Sequence, residues 1–184
     1  MVLKPQDVVV SVFMALRPRG TPLRYAEAAA ALGMSRSEVH ASVQRCLGAQ
    51  LALRIPQRVD GGCDANRSNL ADFLMHGVRY AFPPDQGGVT RGVPTAHSAP
   101  VLRERFVADK SSLPMVWPHP EGVVRGRAFS PIYRSVPFAA AQNPSMYAAL
   151  ALVDVFRGGT ARDREIAGPL LLDLLRGRSG AETT

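Results

Sequence analysis

The sequence predicts a mainly α fold carrying one small β-hairpin, an α+β class, and three observations predict it. Apolar residues recur at helical spacing in three early stretches separated by Pro- and Gly-containing turns. A short alternating segment from Leu51 to Ile55 leads into a Gly61-Gly62 tip. Capped helical patterns return at Asn66 and again at Asn143.

Pro5, Gln6 and Asp7 make a first helical turn, where proline is tolerated and an acid suits the positive end of the helix dipole. Val8, Val9, Val12, Phe13 and Leu16 follow at helical spacing, and the Pro/Gly-containing run from Arg17 to Pro22 ends the helix. Tyr25 to Leu32 reads as a second helix. Its small residues Ala26, Ala28, Ala29, Ala30 and Ala31 favour helix and permit close approach of a neighbour. Gly33 stops it. Ser35-Arg36-Ser37-Glu38 is a capping box that starts a third helix, Ser35 to Ala49. Val39, Val43, Cys46 and Leu47 mark its inner face; Arg36, Ser37, His40, Ala41, Gln44 and Arg45 mark its outer one.

Alternation then places Leu51, Leu53 and Ile55 on one face of a strand, with Gln57 to Asp64 as the hairpin tip and Cys63 in its turn. Asn66 caps a fourth helix carrying Leu70, Phe73, Leu74, Gly77, Val78 and Ala81, ended by Pro83-Pro84. From 83 to 142 Pro and Gly are frequent and periodicity is weak, which predicts an irregular segment packed on the core; only Ala99 to Val107 looks helical. Asn143-Pro144 caps a helix through Phe156, and Thr160 starts a leucine-rich one that Pro169 kinks or splits. The chain therefore divides into 1–82, an irregular 83–142, and a helical pair over 143–176.

With 46% hydrophobic and 20% charged residues, the 184-residue chain can bury a core and is not of disordered composition. Its 22 basic and 15 acidic residues give a net charge of +7, which favours phosphate backbones or anionic surfaces. The excess is densest over 1–60, with eight basic residues against four acidic ones. Nearly all the cations are arginine, whose planar fork bridges phosphates and guanine edges. Cys46 and Cys63 lack metal-ligand spacing, and so do His40, His76, His97 and His119, so neither a metal nor a cofactor is expected. There is no apolar leader and no run near the length of a membrane span, which makes the cytoplasm the expected location.

The run from Tyr25 to Val39, continuing through Leu47 and Leu51 into strand and tip, resembles the helix-turn-helix of bacterial winged-helix transcriptional regulators of the MarR and Lrp classes. The similarity covers about the first third of the chain and does not extend to the C-terminal part. The resemblance implies a winged helix-turn-helix over 1–82 that docks the helix from Ser35 to Ala49 into the major groove of double-stranded DNA. Ser35, Arg36, Ser37, His40, Ala41, Gln44 and Arg45 would then be the groove-facing set. Arg36 reads guanine or clamps a phosphate, Gln44 pairs with adenine, and Ala41 touches a thymine methyl. Arg24 holds backbone phosphates beside the second helix, with Arg17 and Arg19 as further candidates; Arg54 and Arg58, on the wing, reach the flanking backbone or the minor groove.

The expected function is a transcriptional regulator, a dimeric repressor, since such proteins read paired half-sites as symmetric dimers. No nucleophile motif or acidic pair suggests an enzyme. An alternative is an antitoxin or regulatory subunit whose C-terminal part inhibits a partner enzyme while repressing its own operon. A third is a scaffold without DNA contact. The leucines of 170–175 can fold back on the chain, form the homodimer or grip another protein. Two weaker signals remain. The Gly-rich stretch from Asp85 to His97 reads as a surface loop with some anion-binding character, and Trp117 as a core plug.

Overall fold

The computed structural model describes residues 2–55, 62–106 and 113–177. The fold is mixed α+β. Helix α1 (Pro5–Leu16) is apolar on nearly every side: Val8, Val9, Val10, Val12, Met14 and Ala15 are all buried. Such a helix belongs inside a core. It packs on α3 (Arg36–Gly48) and also on α7 (Pro144–Gly158) and α8 (Ala161–Arg176), so one continuous core runs from Val8 to Leu175.

Helix α2 (Tyr25–Leu32) ends at Gly33, whose φ of 61° is left-handed backbone suited to glycine. The buried Ala28 and Ala29 let α3 approach closely. On α3 the apolar stripe is Val39, Val43 and Cys46, all buried, with Leu47 at its margin. Beyond α3, β1 (Ala52–Arg54) pairs antiparallel with β2 (Cys63–Ala65) in the register Ala52↔Ala65, Leu53↔Asp64, Arg54↔Cys63.

The alternation in this hairpin is out of phase with the sequence expectation. Ala52 is buried whereas Leu53 is 51% exposed. Gln50 adopts a left-handed φ of 59°, and the Leu51 amide donates to Cys46 O, so Leu51 belongs to the end of α3 and the strand starts one residue later. Cys63 sits buried in β2 rather than in a turn. Positions 56–61, the expected hairpin tip with Arg58, lie outside the described residues.

Arg67 fastens this hairpin to α1. Its Nε donates to Ala15 O at 3.1 Å and its Nη2 to Arg17 O at 2.8 Å, completing carbonyls at the helix end, while Nη1 reaches both oxygens of Asp64 at 3.3 Å. Asn66 caps α4 (Arg67–Asp72), which continues through a π turn (Phe73–Gly77) into α5 (Val78–Ala81).

The expectation of an irregular 83–142 is corrected. Three strands lie there: β3 (Gln86–Pro94), β4 (Met115–Pro118) and β5 (Val124–Phe129). Each pairs with both others, β3 antiparallel to β4 and β5, and β4 parallel to β5, so the sheet closes on itself. The glycines taken as loop punctuation are what make this closure possible. A Cβ on Gly92 would lie 2.1 Å from Trp117 O, and one on Gly126 2.2 Å from Pro114 O. The supposed Gly-rich surface loop is thus largely strand β3. Of the helical stretch expected from Ala99, one 3₁₀ turn (Pro100–Leu102) forms among the described residues.

Helix α6 (Val136–Gln142) leads into α7, which is buried continuously from Ala149 to Arg157. A buried acid on α7 anchors the sheet. Asp154 Oδ2 accepts from Thr95 Oγ1 at 2.8 Å and from Trp117 Nε1 at 2.5 Å; Oδ1 accepts from Arg157 at 2.6 Å. Arg157 also donates to Phe82 O and Ser130 O, both at 2.9 Å. Trp117 is a core plug, and it carries a hydrogen bond as well. Burial pushes the Asp154 carboxyl up from its ordinary value, against the pull of Arg157, Thr95 and Trp117. Pro169 lies inside an uninterrupted α8, so it does not split the helix. Leu171 and Leu175 of α8 are buried in the chain's own core.

Removing one partner of a buried ion pair strands the other charge. Asp154→Ala should therefore lower unfolding free energy by roughly 3–5 kcal/mol, read from urea midpoints, since it leaves Arg157 buried without its counter-charge. A midpoint equal to wild type would show that the network carries no weight.

Candidate nucleic-acid interface

The site begins with the turn between α2 and α3. Ser35 Oγ accepts from the Glu38 amide at 3.1 Å, and Glu38 Oε2 accepts from the Ser35 amide at 2.8 Å, so the capping box read in the sequence is formed. Glu38 Oε1 meanwhile accepts from Tyr133 Oη at 2.9 Å and lies 3.6 Å from Arg134 Nη2. The Ser35 amide, then the Ser35 hydroxyl, then Tyr133 hold the Glu38 carboxyl below its ordinary value, with a smaller pull from Arg134 and an opposing one from burial. Phe138 of α6 lies against Gly33, where an added Cβ would meet its ring at 2.9 Å.

This leaves one side of α3 open. Ser35, Arg36, Ser37 and His40 are exposed, and Ala41 and Gln44 are half-buried. His40 stands edge-on to Tyr25, the ring centroids 5.4 Å apart. Together with Arg24, Tyr25 and Ala26, the residues Arg36, Ser37 and His40 line an open hollow of about 530 Å³. Arg24 is exposed and 3.2 Å from Glu27, an i,i+3 surface pair of small energetic weight that a phosphate could displace. Arg54 is exposed on β1.

Arg45 does not belong to this face, a correction to the sequence reading. Its Nε donates to Asp7 Oδ2 at 2.7 Å and its Nη2 to Asp7 Oδ1 at 2.6 Å, with a further bond to Ser42 Oγ at 3.1 Å. The Arg45 side chain is 12% exposed and Asp7 is fully buried. The position is one residue beyond Gln44, about 100° further round the helix, at the edge of the buried stripe. There a long side chain can turn inward to meet a buried acid. Arg17 is diverted as well: it donates to the Pro22 carbonyl and stacks over Phe13. Arg19 is exposed, beside a separate hollow that it lines with Arg67 and Arg176.

Arg134 was missed. Its side chain is 78% exposed beside the first turn of α3, yet it stands 95 or more residues from the elements it joins, and nothing local in the sequence marks it. Burial pushes the Cys46 thiol up to about 12 and raises that of Cys63 also, which disfavours the thiolate form of both. Among the described residues, no group of three or more His, Cys, Asp or Glu side chains could hold a metal ion, and no helix is long and apolar enough to cross a membrane.

Because the Glu38 value is lowered on folding, its capping contribution is complete above the ordinary carboxylate range and is lost as pH falls through the lowered value. Amide exchange at Glu38 and Val39 should therefore accelerate relative to the middle of α3 on acidification. Ser35→Ala should reproduce that fraying at neutral pH and cost about 1 kcal/mol of stability. Comparison of the chain with protein-family models, with curated proteins and with solved structures finds no match.

Proposed function

We propose that residues 1–82 form a winged helix-turn-helix that binds double-stranded DNA, with α3 as the recognition helix and β1–β2 as the wing. The observation that carries this reading is the open face of α3. A helix with a formed N-cap presents Arg36, Ser37 and His40 to solvent at its N-terminal end, backed by a left-handed glycine turn and followed by a hairpin. A recognition helix leads into the major groove with its N-terminal residues, and its dipole there favours phosphate. Arg36 has the fork to read guanine O6 and N7, Gln44 the amide to read adenine, and Ala41 the methyl for thymine contact. Arg24 and Arg54, joined by Arg134, supply cations for the flanking backbone.

The reading extends to a transcriptional regulator acting as a homodimeric repressor. A single helix contacts few base pairs, and two copies on paired half-sites multiply both affinity and selectivity. The alternative of a C-terminal part gripping a partner enzyme ranks lower, because Leu171 and Leu175, part of the leucine run that suggested it, face the chain's own core.

Electrophoretic mobility shift on the duplex upstream of the protein's own coding region tests the proposal. Arg36→Ala combined with Gln44→Ala should weaken sequence-specific binding by about ten- to a hundredfold, as expected for lost base contacts. Wild-type affinity and selectivity in that variant would overturn the assignment of α3.

A further inference from the structure

A second cationic surface lies on the closed sheet, away from the α3 residues. In the β3–β5 ladder Arg91 stands directly opposite Arg125, and Val89 opposite Arg127. Directly opposed residues of an antiparallel pair share a face, with Cβ atoms about 5 Å apart. Residues two apart on one strand share it too, about 7 Å along. Arg91, Arg125 and Arg127 therefore lie on one face, and all three are exposed. The alternate positions Gly92 and Gly126 are buried on the opposite side.

Like charges directly opposed across a ladder destabilise it. None of the three guanidinium groups has an ion pair or hydrogen bond among the described residues, so the chain's own described acids leave the repulsion uncompensated. Charges on a sheet often serve to protect a free edge from pairing with another chain. Among the described residues the outer edge of β5 is open at Arg125, where β4 does not reach, so one cation there can serve that purpose; Arg91 and Arg127 have partners on both sides, since Arg91 O accepts from the His119 amide and Arg127 pairs with both Val89 and Met115. A cost without an internal return points to an external anion. The two cations along β5 are spaced much as successive phosphates are along a nucleic-acid strand. Large apolar anchors of the kind that seat a protein on a bilayer are missing from this ladder, whose exposed apolar member is Val89.

We infer that the Arg91–Arg125–Arg127 face of the sheet binds the phosphate backbone of duplex DNA, independently of base sequence and of α3. Arginine forks give each phosphate two hydrogen bonds as well as charge. Contact at this face adds affinity and salt dependence without adding selectivity.

The test uses the full chain and a labelled duplex of arbitrary sequence, followed by fluorescence anisotropy across a salt series. The probe variants are Arg125→Glu alone and the triple Arg91→Ala, Arg125→Ala, Arg127→Ala. Arg125→Glu turns the repulsive cross-strand pair into an attractive one, so its melting temperature should match or exceed that of wild type, and loss of binding in it is not loss of fold. Binding to the arbitrary duplex should fall about tenfold or more, and in the triple variant the slope of log affinity against log salt should shrink by about two to three. Arg36→Ala with Gln44→Ala should leave this sequence-independent component in place, so failure of the α3 reading and failure of this one give different patterns. Unchanged affinity and slope in both sheet variants would overturn the inference. So would a wild-type chain that ignores the duplex but binds phosphatidylserine vesicles through these arginines.

Discussion

The Arg45 guanidinium meets the Asp7 carboxylate through two hydrogen bonds, at 2.7 and 2.6 Å, where the acid has no solvent exposure. The same carboxylate accepts the Lys4 amide at 2.8 Å, so it caps the first turn of α1 while holding the last turn of α3. Burying two charges is costly, and only a bidentate geometry with further hydrogen bonds recovers the loss. With Arg45 drawn in beside Val39, Val43 and Cys46, the rotation of α3 about its axis is set, and Ser37, His40 and Gln44 are left on the other side. Since α1 is itself clasped by α7 and α8, the orientation of α3 is referred to the whole core and not to a small detachable unit.

A second buried acid performs a similar service in the other half. Asp154 and Arg157 of α7 collect the Thr95 hydroxyl, the Trp117 indole, and the carbonyls of Phe82 and Ser130. These groups come from the end of α5, from both flanks of the sheet and from β4. Without such ties a small closed sheet with two of its inner positions occupied by glycine would have little apolar area with which to dock on a helix. The hydrogen-bonded acid supplies direction where packing is thin, and Val116, Trp117 and Phe129 supply the fully buried apolar side chains of the sheet.

What could be read in the sequence was what short-range chemistry determines. The Ser35–Glu38 box, the Gly33 stop, the Asn143 and Thr160 caps and the apolar stripe of α3 are each set by neighbours three or four residues apart, and each is present. The phase of β1 was lost because a left-handed Gln50, unmarked by glycine, moved the strand start by one residue. Arg45 was misplaced because its partner lies 38 residues away, and Arg134 was overlooked because Glu38 lies in a distant part of the chain. The sheet was invisible for a different reason. Glycine and proline ordinarily report turns, and here Gly92 and Gly126 report clearance between strands that approach from three directions.

These packing facts bear on how the two cationic faces would work. Gly33 rests on Phe138 of α6, Glu38 on Tyr133, and α6 runs directly into α7. The sheet is tied to that same α7 through Asp154. Both faces are thus borne by elements fastened to one helix by direct contacts among the described residues. A surface held in place before contact loses less conformational entropy when it binds. Such a mount also makes the orientation of α3, the recognition helix of the proposed function, answerable to the packing of α7. Substitutions in the Asp154 network, far in sequence from α3, should then act on the proposed DNA binding only through the fold, lowering stability and binding together; substitutions on the open face of α3 should lower binding alone.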